Sequence, residues 1–195
     1  MRALACTSGP SPKGKGWGKV FCARLDARHC RLGHPRPTLP LQGEGDKDRR
    51  MKLGRLNHIG VATPDLDAAI AFYRDCLGAT DITEPFVLES QKVRVCFVNT
   101  PGEGGTAGTQ IELLQPTQPD SAVGKWLEKN PSGGQHHICY EVPDIHVAKA
   151  WFESKGKKVL GEPRIGAHGT LIFFVHPKDM GGQLTEIMET PKGHH

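Results

Sequence analysis

The residues in this chain best suited to chemistry are two histidines and two glutamates in a repeated setting. Leu56-Asn57-His58-Ile59-Gly60-Val61 runs on through Pro64-Asp65-Leu66 to Phe72-Tyr73. Gln135-His136-His137-Ile138-Cys139-Tyr140 runs on through Pro143-Asp144-Ile145 to Trp151-Phe152. At an offset of 79 residues, His58 falls on His137, Pro64 on Pro143, Asp65 on Asp144 and Phe72 on Trp151. Each copy later reaches an apolar stretch with one Glu inside it, Gln110-Ile111-Glu112-Leu113-Leu114 and Leu184-Thr185-Glu186-Ile187-Met188. Two imidazole nitrogens and two carboxylate oxygens suit a divalent first-row metal that keeps positions open for water or substrate. Singly, each residue has an ordinary explanation: a strand His is usually a hydrogen-bonded polar group, and a strand Glu usually faces solvent. The recurrence of both in both halves favours the metal site. So does Glu112, whose charge would be costly in an apolar strand without a partner.

These side chains can converge only if strands position them. Arg55–Ala62 alternates and is rich in β-formers, so it reads as a strand. Thr63-Pro64-Asp65 marks a helix start, with Pro64 at or near the first helical position. Leu66, Ile70, Tyr73 and Leu77 then mark one face of a helix that Gly78 ends. Residues 79–85 form a short extended piece, Lys92–Asn99 a strand, Pro101–Gly108 a Gly-rich loop and Thr109–Gln115 the strand carrying Glu112. A bridge follows, with a helix expected over Asp120–Asn130. The order then recurs: a strand over Gly134–Val142, a helix from Pro143-Asp144 to Lys155, a short strand over Lys157–Leu160, and strands over Thr170–His176 and Gln183–Met188. The chain is thus an α+β protein of two tandem βαβββ modules, residues 53–116 and 133–190, with a linker over 117–132. Two curved mixed sheets facing each other would enclose a metal-binding cleft. The repeat also selects His137 over His136 as the ligand, since His137 aligns with His58.

Composition sets the remaining bounds. The net charge of +4 is unevenly placed: residues 1–50 hold 11 Lys+Arg against 4 Asp+Glu, or +7, and residues 51–195 hold 14 against 17, or −3. The body is mildly acidic, so the basic total does not point to nucleic acid. No apolar run is long enough to span a membrane. Cys6, Cys22, Cys30, Cys76, Cys96 and Cys139 form no CxxC pair. They read as reduced thiols in an intracellular compartment, with the last three as small buried residues. Residues 1–50 are rich in Gly, Pro and basic residues and read as a disordered leader. It is either a dispensable extension of a cytoplasmic protein that begins at Met51 or a segment targeting the mitochondrial matrix. Residues 191–195, with His194-His195, read as a disordered tail.

Residues 53–190 resemble the vicinal-oxygen-chelate superfamily and, within it, the methylmalonyl-CoA epimerases. The strands around His58 and Glu112 carry the superfamily likeness. His136-His137, Ile165-Gly166-Ala167-His168-Gly169 and His176-Pro177-Lys178-Asp179 carry the narrower one. The resemblance implies His58, Glu112, His137 and Glu186 as ligands of a metal, typically cobalt, with manganese, nickel or magnesium tolerated. It implies an acyl-CoA thioester substrate and, by analogy, a homodimer, with neither nucleic acid nor membrane as a partner. Epimerisation would move the proton on the carbon between thioester and carboxylate, through an enolate. Glu186 and Glu112 are the symmetric pair of candidate acid/base groups, Glu186 first. Some relatives carry a further Glu where this chain has Val95. His168 and Lys178 are candidate substrate-binding residues. A glyoxalase-type lyase acting on a glutathione hemithioacetal and a metal-free small-ligand-binding module are the alternatives. A chain cut to residues 51–195 is expected to keep the full activity of the intact one; a dead truncated chain would contradict the reading of the leader.

Overall fold

The computed structural model describes residues 51–192, so the expectations for the leader, for Cys6, Cys22 and Cys30, and for His194-His195 lie outside the described residues. The first module gives β1 (Leu56–Ala62), α1 (Leu66–Asp75), β2 (Phe86–Leu88), β3 (Val93–Val98) and β4 (Gln110–Pro116). After α2 (Ala122–Leu127), the second gives β5 (Gly134–Val142), α3 (Ile145–Ser154), β6 (Val159–Ile165), β7 (Leu171–Val175) and β8 (Thr185–Glu189).

The two helices start alike. Asp65 caps α1 by accepting from the Ala68 amide, and Asp144 caps α3 by accepting from the His146 and Val147 amides. Pro64 therefore sits one residue ahead of the cap, not inside the first turn. Leu66 is fully buried on the sheet, whereas Leu77, past the end of α1, is exposed. Arg94 of β3 holds Asp67 of α1 with two hydrogen bonds, of 2.9 and 3.1 Å, which ties helix to strand.

The module sheets are joined edge to edge. All eight strands form one mixed sheet in the order β2-β3-β4-β1-β5-β8-β7-β6. β1 runs parallel to β4 and β5 parallel to β8, while β1 and β5 meet antiparallel at the centre. Period-2 alternation divides each strand. On β4, Leu113 packs with Leu66, Cys96 and Val98 under α1, while Glu112 and Leu114 line a cleft on the other face. On β8, Ile187 packs with Ile145, Phe152 and Phe173 under α3, while Glu186 lines the same cleft. Burying a side chain the size of Phe173 is worth about 2–3 kcal/mol. Eight strands laid flat would span roughly 34 Å at about 4.8 Å each. Yet Val93 of β3 and Leu160 and Arg164 of β6, near opposite edges, line one cleft, so the sheet curls around it.

Two differences from expectation have local causes, and a third is one of exposure. The second strand of module one starts after Pro85, not before it; the 79–85 piece contributes only a single bridge, Ile82 to Val98. Proline lacks the N–H that a ladder needs, so pairing begins at Phe86. β6 extends to Ile165 although Gly161 and Pro163 read as breakers. A register irregularity between Leu160 and Arg164 absorbs them, with Gly161 at φ +84. Cys96 and Cys139 are buried as expected, but Cys76 at the end of α1 is exposed.

Candidate metal centre

The donor cluster forms where the two modules join. His58 and His137 lie on β1 and β5, two strand positions apart in register, and their Nε2 atoms approach to 3.2 Å. Glu112 on β4 pairs with Gly60 on β1, and Glu186 on β8 pairs with Cys139 on β5. Residues 60 and 139 are themselves 79 apart, so the register repeats with the sequence. Glu112 Oε2 lies 3.5 Å from His58 Nε2 and 3.3 Å from His137 Nε2. Glu186 Oε2 lies 4.0 and 3.2 Å from the same atoms. Ligand atoms of His58, His137 and Glu186 all fall within 4.8 Å of one another. All four side chains are buried, with at most 5 % of each residue exposed.

The separations among His58, His137 and Glu186 suit one ion, and Glu112 stands within 3.5 Å of both imidazoles. Donors about 2.1 Å from a metal stand about 3.0 Å apart at right angles, about 3.4 Å at the tetrahedral angle and about 4.2 Å across the ion. The five observed values, 3.2 to 4.0 Å, fall inside that interval. Mixed imidazole and carboxylate donors match a first-row divalent ion better than an all-oxygen site would.

Each imidazole is aimed from behind. His58 Nδ1 bonds Asn57 Oδ1 at 2.9 Å, and His137 Nδ1 bonds His136 Nδ1 at 3.0 Å. Neighbours on a strand normally face opposite ways, and bulges remove that rule here. Between β1 and β5 the register steps from Leu56/Tyr140 to His58/Cys139, leaving Asn57 unpaired, and from Gly60/His137 to Val61/Gln135, leaving His136 unpaired. The two bulged residues are 79 apart and each immediately precedes a candidate ligand. Sequence reading set His136 aside and did not single out Asn57; the signal was their equivalent position in the repeat.

Burial holds His58 neutral, its pKa lowered to about 3 despite the opposing pull of Glu112. Burial also pulls His137 down, but the hydrogen bonds to Glu112 and Glu186 outweigh it and push the pKa up to about 10. An arriving dication would take the place of that proton between the two carboxylates. His136 is lowered to about 4 by burial and by His137, so it is neutral near pH 7. Burial, followed by the charges of Glu186 and Glu112, raises the Cys139 thiol far above its ordinary range, so it supplies no thiolate.

The cleft in front of the cluster has a volume of about 610 Å³. Glu112, His137 and Glu186 form its floor, with Leu114, Val123, Trp126, Ile172 and Phe174 as apolar walls and Lys92 and Arg164 among its polar groups. Val95 is fully buried in the apolar cluster with Phe97 and Leu114. Neither His168 nor Lys178 lines this cleft. The His168 ring stacks on His58, with centroids 5.1 Å apart and 15° between planes, and its Nε2 bonds Gln110 Oε1 at 2.7 Å. Burial lowers its pKa, partly offset by Glu112 and Glu186. Lys178 is exposed on the one-turn helix Pro177–Asp179.

Residues 57–174 match the Glyoxalase/Bleomycin resistance protein/Dioxygenase superfamily. Over 137 residues the chain is 47 % identical to the ethylmalonyl-CoA/methylmalonyl-CoA epimerase of Cereibacter sphaeroides, covering 69 % of this chain and 97 % of that protein. This chain belongs to the methylmalonyl-CoA epimerase family. The mitochondrial methylmalonyl-CoA epimerase of Bos taurus is 46 % identical over 136 residues, 69 % of this chain and 74 % of that protein. Among solved structures, a variant of the Streptomyces coelicolor epimerase in complex with 2-nitronate-propionyl-CoA superposes with a TM-score of 0.68 at 40 % identity, covering 74 % of this chain and 99 % of that one. The lactoylglutathione lyase of Schizosaccharomyces pombe is more distant, 26 % identical over 151 residues and half of its own length. The glyoxalase alternative is the weaker one.

Gly60 is the tightest point of the centre. A Cβ there would lie 2.1 Å from His137 Cε1, far inside van der Waals contact distance. Gly60→Ala is expected to destabilise the fold by about 1–3 kcal/mol through overpacking. It should also weaken divalent-metal binding at least tenfold, read by thermal unfolding and chelator competition. Wild-type affinity would show that the His137 ring is not confined as described.

Proposed function

We propose that this protein interconverts (2R)- and (2S)-methylmalonyl-CoA by moving the proton at C2. The observation that carries the reading is the convergence of two imidazoles and two carboxylates from both modules, with Glu112, His137 and Glu186 on the floor of one cleft. His58, His137, Glu112 and Glu186 would hold a divalent ion, cobalt first among the candidates. Such an ion supplies positive charge to the thioester and carboxylate oxygens, where negative charge grows as the proton leaves.

The chain's own groups do the rest. Removing the C2 proton leaves a planar enolate, and inversion requires proton delivery to its opposite face, hence two acid/base groups. Glu112 and Glu186 come from opposite halves of the sheet and both line the cleft. A carboxylate that spends one oxygen on a metal keeps the other for a proton. Glu186 is assigned as the first base and Glu112 as its counterpart. Val95 offers no proton, which leaves Glu112 as the module-one carboxylate on the cleft floor. Asp120 also lines the cleft, but it is exposed and paired with Lys92 at 2.6 Å. The apolar walls exclude water from the enolate, and the cleft's open side would admit the CoA arm. His168, stacked behind His58, supports the ligand in this reading, and Lys178 stays a candidate for the CoA phosphates. A homodimer is the assembly expected of the fold.

The test is exchange of the C2 proton of methylmalonyl-CoA with deuterated solvent, using protein stripped with EDTA and then given cobalt. Metal-dependent exchange is expected, with no turnover of methylglyoxal plus glutathione in parallel. Absence of exchange with cobalt restored would end the epimerase reading, and turnover of the hemithioacetal would favour the lyase. Glu186→Gln is expected to slow exchange by about 10²–10⁴-fold, or to confine it to one face. Wild-type exchange on both faces would remove Glu186 as a base.

A further inference from the structure

His58 and His137 are symmetric as ligands but are held differently from behind. His137 leans on His136, a neutral imidazole. His58 leans on Asn57, and Asn57 has a buried carboxylate behind it. Asn57 Nδ2 donates to Glu141 Oε1 at 2.7 Å, and Arg55 Nε donates to the same oxygen at 2.8 Å. Asn57 is 2 % exposed and Glu141 6 % exposed. Main-chain bonds fix the ends of the chain: the Gly54 amide donates to the Glu141 carbonyl at 2.8 Å, and the Glu141 amide to the Arg55 carbonyl at 3.0 Å. The repeat has no equivalent of Glu141, since the position 79 residues earlier is Ala62.

The chemistry of this chain runs in one direction. An ionised carboxylate only accepts hydrogen bonds, so the side of Asn57 that faces Glu141 must be its NH₂. The amide oxygen is thereby turned to His58, where it too can only accept. The proton of the neutral ring must then sit on Nδ1, leaving the Nε2 lone pair free to face the other donors. If the amide flipped, its NH₂ would face Nδ1, the proton would move to Nε2, and His58 could not act as a ligand. What forbids the flip is the charge of Glu141, since a flipped Asn57 would set its oxygen against a carboxylate.

We propose that Glu141 is a positioning residue for the metal centre, acting through Asn57 to lock His58 in the tautomer that can bind metal. The inference rests on the metal-binding part of the proposed function, and its readouts do not depend on epimerisation. Retention of the charge on Glu141 agrees with it. Burial raises its pKa, but the hydrogen bonds from Arg55 and Asn57 outweigh that and leave it below the ordinary carboxylate value.

The experiment uses the full chain and three variants, Glu141→Gln, Asn57→Ala and the double substitution, with cobalt affinity read by chelator competition. The tautomer of His58 is read by nitrogen-15 NMR of the imidazoles in metal-free protein. A Gln at 141 can both donate and accept, so it removes the bar to the flip without changing size. Cobalt affinity is expected to fall about 10–100-fold in Glu141→Gln. The His58 ring should change from Nδ1-protonated to a mixture. The double variant should bind no more weakly than Asn57→Ala, because one residue acts through the other. Unchanged affinity with an unchanged tautomer, or losses that add in the double variant, would overturn the proposal. If Glu141→Gln fails to fold, the tautomer in wild type and Asn57→Ala still decides, and an Nε2-protonated His58 in wild type would overturn it. A wild-type chain that binds no cobalt would instead strike at the proposed function, while the tautomer reading would stand by itself.

Discussion

Everything at the site depends on the antiparallel pairing of β1 with β5. That ladder joins the modules, and it brings two imidazoles into line with Nε2 atoms 3.2 Å apart. The parallel pairs on either side add one carboxylate each, opposite Gly60 and Cys139. A slip of one residue in any of these pairings would turn a donor to the other face of the sheet. Register is protected by what lies behind: Leu113 must reach the layer under α1 and Ile187 the layer under α3. The hydrophobic layers therefore set the position of the polar cluster.

Burying two carboxylates and two imidazoles together is costly without compensation. Part of the compensation is internal, since the carboxylates share a protonated His137 and each imidazole has a partner on Nδ1. The remainder would be supplied by a dication, which explains why the cluster opens onto a cleft rather than closing on itself. The bulges at Asn57 and His136 are what let a ligand and its orienting neighbour share one face, at the expense of two ladder positions. Gly60 provides the room, because a larger residue would occupy the space of the His137 ring.

The repeat was legible because duplication preserves residue types at a fixed offset. His58 and His137 stand out for that reason, Glu112 and Glu186, 74 residues apart, stand out by recurring in the last strand of each module, and the period-2 pattern of β4 and β8 assigns the faces of the two glutamates. Less legible was whatever depends on local exceptions. β6 runs through Gly161 and Pro163 because an irregularity absorbs them, which periodicity does not reveal. β2 is three residues long and its Phe86 and Val87 are exposed, so burial gives it little pattern. Asn57 and Glu141 lie 84 residues apart, and only the β1–β5 ladder brings them together. The family resemblance puts His168 near the site; its stacking on His58 depends on a loop path from the second module that no pattern encodes.

The central claim is that both modules contribute an imidazole to one metal ion. X-ray absorption at the cobalt edge of the cobalt-loaded protein tests it directly. Two imidazole nitrogens are expected in a mixed nitrogen and oxygen shell at about 2.1 Å, falling to one imidazole in either His58→Ala or His137→Ala. A shell with a single imidazole in the unaltered protein, or one unchanged by both substitutions, would contradict it.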